Sequence, residues 1–145
     1  MTTQTDTLTH RFASLASLST AARHAARVLL GGIMAFASIS YFFNLIPVPT
    51  EPMPDAVTAF TGGLAAAGYM LPLIKGTELV AALLLLSNRF VPLALALLAP
   101  VVVNIVAFHV ALAPAGVVMA MVVLALEVGL AIAHRDAYRS MLKAC

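Results

Sequence analysis

The chain has 145 residues, of which 62% are hydrophobic and 10% charged, against about 25% charged in an average soluble domain. Eight Lys/Arg and six Asp/Glu cannot cover a core with polar surface, which excludes an ordinary water-soluble domain. The net charge of +2 and a single cysteine, Cys145, likewise exclude a nucleic-acid partner and an internal disulfide or C-x-x-C redox pair. Lipid is therefore expected to cover most of the outside. The fold class this implies is all-α: an integral membrane four-helix bundle, with a short glycine-rich lead-in helix before the second span.

Residues 1–22 are polar, with Leu8, Phe12, Leu15 and Leu18 at spacings of three and four. That pattern suits a short interfacial amphipathic helix or, equally, a frayed tail. The first long apolar run is Val28 to Ile46 and closes on Tyr41-Phe42-Phe43-Asn44; as a helix it spans about 28 Å, one bilayer core. Arg23 and Arg27 ahead of it, with Ala35-Phe36-Ala37, imitate a signal peptide. The apolar run continues past that point, so a retained helix is expected.

Four prolines between Pro47 and Asp55 forbid a continuing helix and mark a loop. Residues 56–70 read as a short helix whose Gly62, Gly63, Ala66, Ala67 and Gly68 permit close helix approach. Whether it inserts into the membrane is left open by its length. The second span is expected at 71–86, ending at Ser87-Asn88-Arg89. The third is expected at 91–113, bent near Pro100. A Pro114-Ala115 turn leads to a fourth span at 116–134. Residues 23–135 then form the transmembrane domain and 136–145 a short tail.

Positive charge sets the orientation. With the N-terminus cytoplasmic, Arg11, Arg23, Arg27, Arg89, Arg135, Arg139 and Lys143 fall on the cytoplasmic side, and the outer connections hold only Glu51 and Asp55. Both termini are expected inside, in a bacterial inner (plasma) membrane.

A charge at mid-membrane costs at least about 2.5–3.5 kcal/mol on insertion scales, yet Lys75, Glu78 and Glu127 lie inside the expected spans. Asn104 and His109 add polar capacity on the third, and Asn44 and Tyr41 approach from the first. Turned inward, these seven residues would line one small polar cavity opening outward, the expected ligand site. Plainer readings stand beside this one. Lys75 and Glu78, three apart, can be a self-neutralising structural pair, or Lys75 can snorkel outward. Asn104 is more often an interhelical clamp than a ligand group. His109 has no second histidine at its depth, so no metal site is expected. Glu127 is the hardest to dismiss, because the sequence shows no fixed partner for it.

The run Gly68-Tyr69-Met70-Leu71-Pro72-Leu73-Ile74-Lys75-Gly76-Thr77-Glu78-Leu79-Val80, followed by Leu83-Leu84-Leu85-Leu86 and Phe90-Val91-Pro92, resembles the DoxX-like family of small membrane proteins. So does Leu97-Leu98-Ala99-Pro100-Val101-Val102-Val103-Asn104 with Phe108-His109-Val110-Ala111-Leu112. The resemblance covers roughly residues 25–134. It implies a compact four-helix membrane fold and carries over Glu78, Asn104 and His109 as family-pattern positions. It also implies an association with quinol-oxidising or thiol and oxidative-stress systems.

Three functions follow as expectations. The first is a redox-associated subunit that binds a quinone-like molecule in the polar cavity, with electrons supplied by a redox partner protein, since no resident cofactor ligand set is visible. The second is a non-catalytic membrane anchor or assembly factor for a partner complex. The third is a small proton-coupled transporter acting as a homo-oligomer, because four helices without an internal repeat supply no two moving halves.

Overall fold

The structure, a computed structural model, describes residues 3–47 and 52–139, with side chains from 20 to 47 and from 52 to 138. The stripe expected of Leu8, Phe12, Leu15 and Leu18, the middle of the outer loop (48–51), and the tail with Lys143 and Cys145 lie outside what is described.

Among the described residues all regular structure is helical. The elements are α1 (Thr3–Phe42), α2 (Asp55–Ala66), α3 (Met70–Leu86), α4 (Val91–Ala111), a 3-10 turn (Pro114–Gly116), α5 (Val117–Ala133) and α6 (Arg135–Arg139). Three stretches are long and apolar enough to cross a membrane: 20–42, 91–111 and 114–133. A fourth crossing results if α2 and α3, which meet at 87°, are counted as one broken span.

The prolines explain several boundaries. Pro72 lies in the first turn of α3 and Pro92 in the first turn of α4, where a missing N–H costs nothing. Pro100 sits inside α4, which continues through it as one assigned helix to Ala111.

Two helix ends share one stopping device. At the end of α1, Asn44 takes a left-handed conformation (φ 50°), its N–H reaches the Tyr41 carbonyl, and the Leu45 N–H reaches that of Ser40. At the end of α3, Asn88 (φ 55°) bonds Leu85 and Arg89 bonds Leu84. Both are Schellman motifs, and asparagine is the non-glycine residue that best tolerates the left-handed position. Gly68 (φ 73°) ends α2 at the equivalent place, its N–H bonding the Ala65 carbonyl.

α1 packs on α3 and α5, and α4 packs on the same two helices. Between them lie Leu30 and Met34 of α1, Ala81, Ala82 and Leu85 of α3, Leu95, Leu98 and Val102 of α4, and Val123 and Leu130 of α5. The outward faces are as apolar as the core: Phe36, Leu73, Leu83, Val103, Val118 and Ile132 are all exposed. Helices that are hydrophobic all round are those surrounded by hydrocarbon.

The glycines do not act where the sequence suggests. Side chains added at Gly62, Gly63 or Gly68 would meet open space, so the run at 62–68 is not a close-packing surface. The close approach is at Gly31 instead, where a methyl group would stand 3.0 Å from Leu86 Cγ and 3.2 Å from Leu85 Cβ. The missing side chain there lets α1 lie against the end of α3. α2 is held by Phe60, whose ring contacts Phe108 at the end of α4 with centroids 5.3 Å apart.

Candidate functional site

Lys75 and Glu78 sit one helical turn apart on α3, and the geometry they adopt is bidentate. Lys75 Nζ donates to Glu78 Oε2 at 2.8 Å and to Oε1 at 3.1 Å. The carboxylate is buried, its side chain 2% exposed, while the lysine side chain is 24% exposed. Glu78 lies about 12 Å from either end of α3, and Lys75 about 8 Å from its N-terminal end. A third member comes from α1: the fully buried Ser38 hydroxyl shares its proton between the Met34 carbonyl at 2.8 Å and Glu78 Oε2 at 3.3 Å. Ser38 was not among the residues singled out by sequence, although two serines, Ser38 and Ser40, interrupt the apolar run of α1. Opposite charge, short distance and a serine contact make this cluster internally satisfied.

Glu127 is in a different place and a different state. It is buried on α5, and its Oε2 has no hydrogen-bond partner. It borders an open cavity of about 270 Å³ lined by α4 and α5 and by Tyr138 of α6. Apart from Glu127 and Tyr138, the lining is aliphatic, including Leu95, Ala99, Val102 and Leu124. The Tyr138 hydroxyl donates to the Pro92 carbonyl at 2.8 Å, which ties α6 to the start of α4. Burial, and secondarily the Glu127 charge, push the Tyr138 phenol above its ordinary range, so it remains a donor.

The remaining expected site residues are elsewhere. Asn104 is exposed on α4. Asn44 is also exposed, and its role is the left-handed helix stop described above. Tyr41 is half-buried and packs edge-on against Phe42 with centroids 5.2 Å apart. His109 bonds its Nδ1 to the Ile105 carbonyl at 2.8 Å, so that nitrogen carries the proton. Its other ring edge lies on Gly116, where any side chain would overlap it. No described cavity is lined by all seven residues. The physical reason is angular: positions at similar depth on different helices converge only when each faces the same axis. The exposed Asn104 does not share the inward aspect of the buried Glu78 and Glu127. Among the described residues no three His, Cys, Asp or Glu side chains converge on a metal position.

At the opposite end from Lys75, Arg27 of α1 is buried beside the end of α3, where its Nη1 donates to the Leu85 carbonyl and to that of Leu86 at 3.3 Å. The Leu86 carbonyl lies in the last turn, where a helix leaves acceptors unpaired, and the Leu85 carbonyl, which already accepts from the Asn88 N–H, gains a second donor. The sequence signal was present: Arg27 directly precedes the apolar run at Val28.

These features define a class, an all-helical protein with three or four helices suited to crossing a membrane and with buried ionisable groups among them. No protein-family model, no curated protein and no solved structure matches the chain.

Proposed function

We propose that this is an integral membrane protein of the DoxX-like kind. In this reading α1, the α2–α3 pair, α4 and α5 form one four-helix bundle whose basic end faces the cytoplasm, and α2 lies across the outer end. Its function is to hold a lipid-soluble, quinone-like molecule at Glu127 as a redox-associated subunit. One observation carries the reading: a buried glutamate with a carboxylate oxygen that has no partner, in the wall of an apolar cavity. An unpaired buried acceptor is costly, and a ligand hydroxyl would supply the missing donor. The cavity volume of about 270 Å³ is below the roughly 300–1,000 Å³ of sites that enclose a whole drug-sized ligand. It suits a headgroup whose tail lies in lipid. A quinol gives up two protons and two electrons on oxidation; in this reading Glu127 accepts one proton, the second passes to water at the membrane surface, and both electrons pass to a partner protein.

The test is binding of a short-tailed quinol to the full chain in nanodiscs. Glu127→Leu removes the acceptor and is expected to weaken quinol binding by about tenfold or more. It should weaken binding of the oxidised quinone less, because that form brings no hydroxyl donor. Quinol affinity unchanged in Glu127→Leu rejects the assignment.

A separate observation favours the anchor or assembly reading. Asn104 exposes an amide within a helix suited to hydrocarbon, and such groups are used as interhelical hydrogen-bonding contacts. A partner helix that co-purifies with the parent and is lost from Asn104→Leu would support it.

A further inference from the structure

Basic residues from the middle of α1 meet the ends of α3 and α5, and the result is more than a collection of surface charges. A cavity of about 220 Å³ lies there, lined by Thr20, Arg23, His24 and Arg27 of α1, Asn88 of the α3–α4 turn and His134 at the end of α5. Two guanidinium groups, two imidazoles, an amide and a hydroxyl line one space, and among the described residues no carboxylate lines it.

Part of this basic character has a structural duty. Helices α3 and α5 both end here, and their last carbonyls need donors. Arg27 serves Leu85 and Leu86, and His134 Nδ1 serves Leu130 at 2.8 Å. These duties do not use all the donors. The Arg27 Nε is buried without a partner, although the side chain lines the cavity. His134 retains Nε2. Among the described residues Arg23 is recorded bonding the Thr20 hydroxyl of its own helix, at 3.2 Å through Nη2. The positive charge therefore exceeds what the helix ends require.

We propose that this cavity is an anion site that takes a phosphate ester group, gripped by Arg23, His24 and Arg27 from one helix and by Asn88 and His134 from two other segments. Guanidinium groups match phosphate oxygens in geometry and remain charged at all relevant pH values. The position is equally informative. Arg27 is followed at once by the apolar Val28-Leu29-Leu30, so the cavity lies at the level where hydrocarbon gives way to headgroups. Two sources present phosphate there: the headgroup of an anionic lipid such as phosphatidylglycerol, and a free phosphate or phosphate ester from the aqueous side.

The experiment uses the full chain, gently extracted and examined by native mass spectrometry with phosphatidylglycerol or phosphatidylcholine, each with and without inorganic phosphate. Arg27 is left intact because it caps α3. The test variant is Arg23→Gln/His24→Gln, and the control is Arg89→Gln, which removes a charge in the same turn without touching the cavity. Preferential retention of phosphatidylglycerol is expected, falling about fivefold or more in the test variant and unchanged in the control. Retention that withstands inorganic phosphate identifies the lipid as the source. Displacement by inorganic phosphate identifies the aqueous anion. Equal retention of both lipids with no response to phosphate, or equal losses in test and control variants, overturns the proposal.

Discussion

Lys75 and Glu78 differ in how much each can escape the loss of the other, and that difference sets a directional prediction. In Lys75→Met the Glu78 carboxylate, 2% exposed and about 12 Å from either end of its helix, keeps only the 3.3 Å approach of Ser38. An uncompensated buried charge of this kind costs about 3–5 kcal/mol. In Glu78→Gln the residue left behind is Lys75, 24% exposed and about one and a half turns from the N-terminal end of α3, so its stem can extend and carry the ammonium toward that end. The amide also keeps an acceptor for Ser38, and the expected loss is about 1–2 kcal/mol. The double variant should cost little more than Glu78→Gln, giving a coupling of about 3–5 kcal/mol between the positions, nearly the whole Lys75→Met loss. Reversible unfolding of the four chains in mixed micelles measures all three quantities. A larger loss for Glu78→Gln than for Lys75→Met, or additive single losses in the double variant, would refute the assignment of the pair as a buried, mutually neutralising unit.

Two further outcomes follow from packing and capping. Gly31→Val should cost about 1–3 kcal/mol by forcing α1 away from Leu85 and Leu86. Gly63→Ala, which meets open space within α2, should be neutral or stabilise by up to about 1 kcal/mol; thermal unfolding of the two proteins side by side checks the contrast. Arg27→Met should lose about 1.5–3 kcal/mol, because the end of α3 loses a charged donor. Arg27→Lys should recover part of that loss, and amide exchange at Ser87 to Arg89 reports whether the helix end frays.

The helices were legible because their signal is long and one-dimensional. Apolar runs of bilayer length, the Pro114-Ala115 turn and the Ser87-Asn88-Arg89 break place α3, α4 and α5 to within a few residues. The pairing of Lys75 with Glu78 was legible too, because three-residue spacing fixes a shared face whatever lies around the helix. What the sequence could not supply is the rotation of each helix about its own axis. Depth follows from counting 1.5 Å per residue, whereas facing requires knowing which side meets the neighbours. A helix that is apolar on every side gives no such indication, and this is why Asn104 was expected to face inward and is exposed. Asn44 shows a second limit. Read as a polar side chain near an apolar run it suggests a ligand group, but its backbone conformation accounts for it as a helix stop. Gly31 and Ser38 were overlooked because a small residue in an apolar run gives no sign of what lies against it.

Whether each buried polar group is satisfied separates structural from functional candidates better than its mere presence in the span. Glu78 has its counter-ion and a serine; Arg27 has two carbonyls; His109 has one carbonyl and a fitted surface at Gly116. Each of these holds two elements together, and each would be retained for packing alone. Glu127 joins nothing in the described structure, yet burying a carboxyl group at that position is unfavourable, whereas a leucine filling the same space would be favourable. The Arg23 and His24 side chains at the basic end stand in the same relation to their cavity, in excess over the helix ends they adjoin. Cost without a structural return is the physical mark of a site that is completed from outside the chain. By that measure the molecule has two such places: an unpaired acceptor beside an apolar space between α4 and α5, and a set of donors around the basic cavity between α1, the α3–α4 turn and the end of α5.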